Sequence, residues 1–216
     1  MKGKAYMKGA IFDVDGTLLD SMGVWDKITR DFFDKYNVSY DGGLLAEFKE
    51  MTLQESSIYM KENCGMAQSV GEIKDELSRM AAHEYMYNIP MKPYAKEYVT
   101  KLYTSGVKLA IATSGFKELS MAALERCGVW QMFSAIALSN EVGVNKSNPD
   151  VYLLAAQRIG TEPSECTVYE DILSGINGAK KADMRTVGIY DEASAGDMDK
   201  IKGSADKYIM SWQELL

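Results

Sequence analysis

The chain has 216 residues, 46% of them apolar, and a formal net charge of −7. That length holds one substantial core, or a domain carrying a smaller inserted one, and the composition excludes a disordered chain. No apolar run approaches the roughly 18–20 residues that cross a bilayer, and an acidic chain with no basic stripe is a poor fit to nucleic acid.

The N-terminal MKGKAYMKG is basic but lacks the apolar stretch of a secretory signal. GAIFDV (9–14) then reads as a buried strand ending in Asp13 and Asp15. Residues 22–89 contain no strand run. Trp25, Ile28, Phe32, Phe33 and Tyr36 recur at helical spacing, as do Ile73, Leu77, Met80, Ala81 and Tyr85. Trp25 is expected in the core of this helical block, on the stripe of Ile28 and Phe32. His83, beside the second stripe, is expected to be a surface or structural residue. Pro90 and Pro93 mark re-entry, and hinges are expected near Leu18–Met22 and Pro90–Tyr94.

From there strands and helices alternate. VKLAIAT (107–113), AIALS (135–139), TVYED (167–171), RTVGIY (185–190) and KYIM (207–210) read as strands. Helical patterns cover 95–105, 116–127, 149–159 and 174–183. Asn148 is expected to cap the helix that opens at Pro149, and Gly128 and Gly160 to stop the helices before them. The alternation predicts a parallel sheet covered on both faces. Cys64, Cys127 and Cys166 are odd in number and widely spaced. Neither a disulfide framework nor a zinc site is expected, and a reducing, cytoplasmic setting follows.

Alternate side chains of a strand share a face, so Asp13 and Asp15 leave the first strand on one side. Two carboxylates that close repel unless one is protonated or a cation joins them. TVYED ends in a second acidic pair, Glu170 and Asp171. Ligands of open parallel sheets bind beyond the carboxyl ends of strands, where all four would meet. An oxygen-only set suits a hard ion, Mg2+ best. IATSG places Thr113 and Ser114 before a helix, an anion seat, and Lys146 in NKSNPD can offer a positive charge. Each piece alone is commonplace: strand-end aspartates form turns and loop lysines are solvated. Their placement, each at a predicted strand end, is not.

With these residues the chain resembles the haloacid dehalogenase-like (HAD) hydrolase superfamily. The motifs are Asp13-Val14-Asp15-Gly16-Thr17, Thr113 in IATSG, Lys146 in NKSNPD followed by Val151-Tyr152, and Glu170-Asp171. The helical block after the first motif resembles the C1 cap of the phosphoglycolate phosphatase and beta-phosphoglucomutase-like branch. The resemblance implies an α/β fold: a Rossmann-like doubly wound parallel sheet at 1–20 and 91–216, with an inserted all-helical cap at 21–90. It further implies an Mg2+-dependent phosphatase that hydrolyses a small phosphorylated metabolite, such as a sugar phosphate, through an aspartyl phosphate. Asp13 would be the nucleophile and Asp15 the acid–base. Thr113, Ser114, Gly115 and Lys146 would bind phosphate. Asp13, Asp15 through its carbonyl and Asp171 would hold the metal, with Glu170 close or acting through water. A monomer or weak homodimer is expected, with no nucleic-acid or membrane partner.

The second aspartate sets the chain apart from the haloacid dehalogenases themselves, which lack it and need no Mg2+. Ser147 stands where the third motif usually has proline. Sugar phosphomutases of the branch carry a histidine at the position of Trp25, a cap arginine where this chain has MTLQES, and valine where it has Thr17. All three differences favour hydrolysis. A mutase and a non-catalytic metabolite-binding protein are the alternative readings.

Overall fold

A computed structural model describes residues 7–49 and 51–216; most of the basic N-terminal stretch, Met1–Tyr6, lies outside the described residues. β1 (Gly9–Phe12) leads into four helices, α1 (Val24–Lys35), α2 (Gly42–Lys49), α3 (Leu53–Asn63) and α4 (Val70–His83). Then come α5 (Ala95–Thr104), β2 (Lys108–Thr113), α6 (Lys117–Arg126), β3 (Phe133–Leu138), the one-turn α7 (Ser139–Val142) and α8 (Asp150–Arg158). β4 (Cys166–Glu170), α9 (Leu173–Lys181), β5 (Arg185–Ile189), α10 (Met198–Ser204), β6 (Lys207–Ile209) and a 3-10 turn at Trp212–Leu215 complete it. The chain falls into two compact units: one runs to Ser21 and resumes over Pro90–Leu216, and the other is Met22–Ile89.

In the first unit the strands form one parallel sheet in the order β3-β2-β1-β4-β5-β6. This is the doubly wound order, and strand order reverses beside β1. The sequence foretells the layering. The central strands GAIF and CTVYE are buried at every residue, as a sheet covered on both faces requires. Neighbours on β1 face opposite ways. Ile11 joins Val151, Tyr152, Ala155 and Ala179 from α8 and α9. Phe12 lies on the other face, stacked on Tyr169 with centroids 4.6 Å apart and planes 9° apart. Gly128 and Gly160 take positive φ of 73° and 58° just after α6 and α8, as expected of helix stops.

Asn148 does not cap α8. Pro149 itself takes the cap position, and its carbonyl accepts the Leu153 amide at 3.0 Å. The Asn148 amide turns back to Asn145, whose Oδ1 also accepts the Ser147 amide at 3.1 Å. A local asparagine turn has won over the helix end.

The chain on either side of the inserted block is tied together within the first unit. The Asp20 amide donates to the Pro90 carbonyl at 3.0 Å, and the Lys92 amide to the Leu18 carbonyl at 2.8 Å. Lys92 is anchored further by its Nζ, 2.8 Å from Asp191 and 2.7 Å from the Tyr190 carbonyl at the end of β5.

The second unit is helical, as the pattern predicts. Ile28, Phe32, Phe33, Ile73, Leu77 and Ala81 are buried, and Phe33 meets Phe48 edge-on at 5.4 Å. Capping boxes open α3 at Thr52/Glu55 and α4 at Ser69/Glu72. Trp25 is not in this core. It shares the stripe of Ile28 and Phe32 but stands one turn before them, at the start of α1, and is 40% exposed. His83 is exposed and packs its ring on Tyr87, as expected of a surface residue.

Candidate active site

The β1 ladder continues one residue past the strand: the Asp13 amide donates to the Tyr169 carbonyl at 3.0 Å. Asp13 is thereby fixed beside the end of β4, where Glu170 and Asp171 follow. One carboxylate oxygen from each of the three lies within 4.8 Å of the others, and all three residues are buried. Gly16, at φ 80°, turns the chain back so that the Leu18 and Leu19 amides both reach the Val14 carbonyl. Thr17, in that turn, donates its hydroxyl to Asp171 Oδ1 at 2.9 Å.

Lys146, 5% exposed, contacts Asp13 Oδ1 directly and lies 2.5 Å from Glu170 Oε1. Burial alone would lower its pKa, but the two carboxylates outweigh burial and hold it firmly protonated. Burial likewise pushes the carboxyls of Asp13 and Glu170 up, and Lys146 opposes it in both. Asp171 is raised most clearly, by burial and then by the neighbouring Asp13 and Glu170.

The two oxygens of Glu170 are occupied. Oε1 takes Lys146 and the Tyr152 hydroxyl at 2.9 Å, and Oε2 takes the amides of Asp171 at 3.1 Å and Ile172 at 3.4 Å. Glu170 therefore braces Lys146. Asp171 differs: its Oδ2 is buried without a hydrogen-bond partner. An orphaned buried carboxylate oxygen is costly, and three carboxylates facing one ammonium leave negative charge in excess. Both facts fit a divalent cation with hard oxygen ligands at Asp13 and Asp171.

Asp15 stands outside this trio. It is half-buried, and its Oδ1 accepts the Ser21 hydroxyl at 2.7 Å. Its Oδ2 lies against Gly115, 2.9 Å from where a Cβ would project. Any other residue there would strike the Asp15 carboxylate. Thr113, buried at the end of β2, accepts the Gly115 amide on Oγ1 at 3.0 Å, which leaves its own proton to donate. Ser114 is exposed and shares a 2.8 Å hydrogen bond with Ser139. The structure thus gathers Asp13, Lys146, Glu170 and Asp171 in one buried network and pairs Asp15 with the Thr113–Gly115 loop.

Three features have no role in the motif reading, although Tyr152 itself stands in the third motif. Tyr152 holds Glu170. Gly175 and Gly178, on α9, let that helix pack against the site: a Cβ at Gly175 would stand 2.8 Å from Glu170 Oε2, and one at Gly178 2.8 Å from the Asn148 carbonyl oxygen. The glycines did leave a faint signal, since each costs about 1 kcal/mol against alanine inside a helical pattern. Trp212 donates its indole N–H to the Thr17 carbonyl at 3.1 Å. Nothing local in sequence could have shown that, because it joins positions 195 residues apart.

Known proteins similar to this chain include phosphatases. The fructose-1-phosphate phosphatase YqaB of Escherichia coli is 28% identical over 184 residues, covering 84% of this chain and 95% of that one. The bifunctional riboflavin kinase/FMN phosphatase of Arabidopsis thaliana is 28% identical over 202 residues, covering 93% of this chain; the chain spans 52% of that protein's length. A Thermotoga maritima crystal structure assigned as a beta-phosphoglucomutase shares the fold with a TM-score of 0.87, at 23% identity, over 97% of each chain. The profile of the haloacid dehalogenase-like hydrolases matches residues 10–189. That span begins one residue into β1 and ends with β5, taking in all four motifs, and the chain belongs to the haloacid dehalogenase-like hydrolase family.

Proposed function

We propose that the chain is an Mg2+-dependent phosphoric monoester hydrolase acting on small phosphorylated metabolites, sugar phosphates among them, through an aspartyl phosphate on Asp13. The observation that carries this reading is the buried Asp13–Lys146–Glu170–Asp171 network with its unpartnered Asp171 oxygen. Two similar proteins named as phosphatases, of fructose 1-phosphate and of FMN, support the substrate class.

In the first step an Asp13 carboxylate oxygen attacks phosphorus and the ester P–O bond breaks. Lys146 favours the Asp13 anion that this requires, against the burial that opposes it. Asp15 gives its proton to the departing alkoxide oxygen. In the second step Asp15, now a carboxylate, takes a proton from water; that water attacks phosphorus, and orthophosphate leaves as the P–O bond to Asp13 breaks. Thr113 donates its hydroxyl to a phosphoryl oxygen, aided by the Ser114 and Gly115 backbone and by Lys146. Asp13, the Asp15 carbonyl and Asp171 would hold Mg2+, with Glu170 positioned behind Lys146. The bound cation supplies charge neutralisation between the anionic nucleophile and the anionic substrate. Met22–Ile89, inserted after the first motif, serves as the cap. Three free cysteines accord with a cytoplasmic setting.

The test is orthophosphate release from a panel of phosphorylated metabolites, with the Asp13→Asn protein as blank. At least one sugar phosphate should be hydrolysed at a rate that Asp13→Asn and EDTA each lower at least ~10³-fold. Full activity in Asp13→Asn, or isomerised sugar phosphate with no orthophosphate, overturns the reading.

A further inference from the structure

Asp171 presents its two oxygens unequally, and the cause can be traced outward. Oδ1 is taken by the Thr17 hydroxyl at 2.9 Å, which leaves Oδ2 buried and unpartnered. Thr17 is fully buried, and its carbonyl accepts the indole N–H of Trp212 at 3.1 Å. Trp212 is 1% exposed. Its ring packs on Phe12, Tyr98 and Tyr169, with centroids 5.9, 5.3 and 5.4 Å away. An indole carries one donor and no acceptor, and when buried that donor needs a partner. Packing thus fixes the ring, and its one polar atom ends on the residue that fixes Asp171.

We propose that Trp212 is a positioning residue for the metal site. By holding the Thr17 carbonyl it keeps the Thr17 hydroxyl on Asp171 Oδ1, and so reserves Oδ2 for the cation. This rests on the reading of Asp13 and Asp171 as ligands of a divalent metal. Residues behind metal ligands commonly govern affinity through orientation alone. The aromatic cluster would fold without this bond, since three rings already enclose the indole. The bond is directed at the one turn of the first motif that carries Thr17.

Trp212→Phe keeps the stacking and removes the donor. The measurement is Mg2+ affinity of the purified full chain by titration calorimetry, without substrate, alongside the circular-dichroism melt. Trp212→Phe should weaken Mg2+ binding about fivefold or more. Tyr98→Phe removes the 2.6 Å hydroxyl contact with Tyr169 in the same cluster without touching Thr17. It should lower the melting temperature and leave Mg2+ affinity within twofold of wild type. Should Trp212→Phe fail to fold, benzothienylalanine at position 212 keeps the bicyclic ring and lacks only the N–H, and the same weakening is expected. Unchanged Mg2+ affinity in the donor-free protein overturns the proposal, as does equal weakening in Tyr98→Phe. If wild type binds no Mg2+, or Asp171→Asn binds it as well as wild type does, the metal-site reading fails and this inference with it.

Discussion

Replacing Gly178 by alanine tests whether the α9 approach holds Lys146 in place. Alanine is the better helix former by about 1 kcal/mol, so propensity alone predicts a more stable protein. The packing predicts the reverse. The new Cβ would press on the Lys146 carbonyl and stand 2.8 Å from the Asn148 carbonyl oxygen, where carbon and oxygen rest no closer than about 3.3 Å. Both obstacles are backbone, so α9 or the Asn145–Asn148 loop must move. Overpacking of this kind costs about 1–3 kcal/mol or more. Two backbone obstacles put the cost at the upper end, so the net loss is about 2 kcal/mol or more, a fall of at least about 4–8 °C in melting temperature for a chain of this size. Gly203, near the end of α10, has nothing within 4 Å of its Cβ position, so Gly203→Ala should gain up to about 1 kcal/mol. Urea unfolding of the two variants beside wild type decides it. The moved loop should also lower the phosphatase kcat, because Lys146 leaves its place between Asp13 and Glu170. A Gly178→Ala protein as stable as wild type would refute the packing argument.

Two more predictions follow from the charges. Arg158 grips Glu141 with two hydrogen bonds of 2.8 and 2.9 Å and holds its carboxyl down from 4.5 to about 2. A lowered carboxylate stabilises above its unfolded pKa and loses that stability as pH falls through the folded value. Glu141→Gln should therefore cost a little near pH 6, below about 1 kcal/mol for so exposed a pair, with the deficit vanishing toward pH 2 in denaturant midpoints. Asp13, Glu170 and Asp171 are shifted the other way, so without metal their contribution is greatest below the ordinary carboxylate range and falls as pH rises. In EDTA the melting temperature should fall as pH rises above the ordinary carboxylate range. Mg2+ at a hundred times its Kd should remove the drop and add about 2.7 kcal/mol at pH 7. A melting temperature indifferent to Mg2+ at pH 7 would count against the site.

Much of this architecture was legible because the signals are local. Buried strands betray themselves as short apolar runs, and the acidic residues that end β1 and β4 stand out against them. The helical block announced itself by spacing. What failed to show were outcomes of competition and distance. Asn148 had the chemistry of a cap, but Asn145 offered its side chain nearer partners. Trp25 had a spacing near that of the core, but at the start of α1 it is the neighbouring Val24 that is buried, and Trp25 is left 40% exposed. The motif alone puts Glu170 close to the metal or one water away from it. Only coordinates reveal that its oxygens are filled by Lys146, Tyr152 and two amides.

The pairing of Leu18–Asp20 with Pro90–Lys92 has a consequence for how such a chain can be built. Seen from the sheet, the whole of Met22–Ile89 is an excursion that leaves and returns at a single hydrogen-bonded gate. The entropy of closing that excursion is met by the gate itself, so the length and sequence of what lies beyond it weigh little on the sheet's stability. Asp13, Lys146 and Asp171 all lie on the sheet side of that gate. The residues of the buried network and the inserted block are in this way separate stretches of one polypeptide.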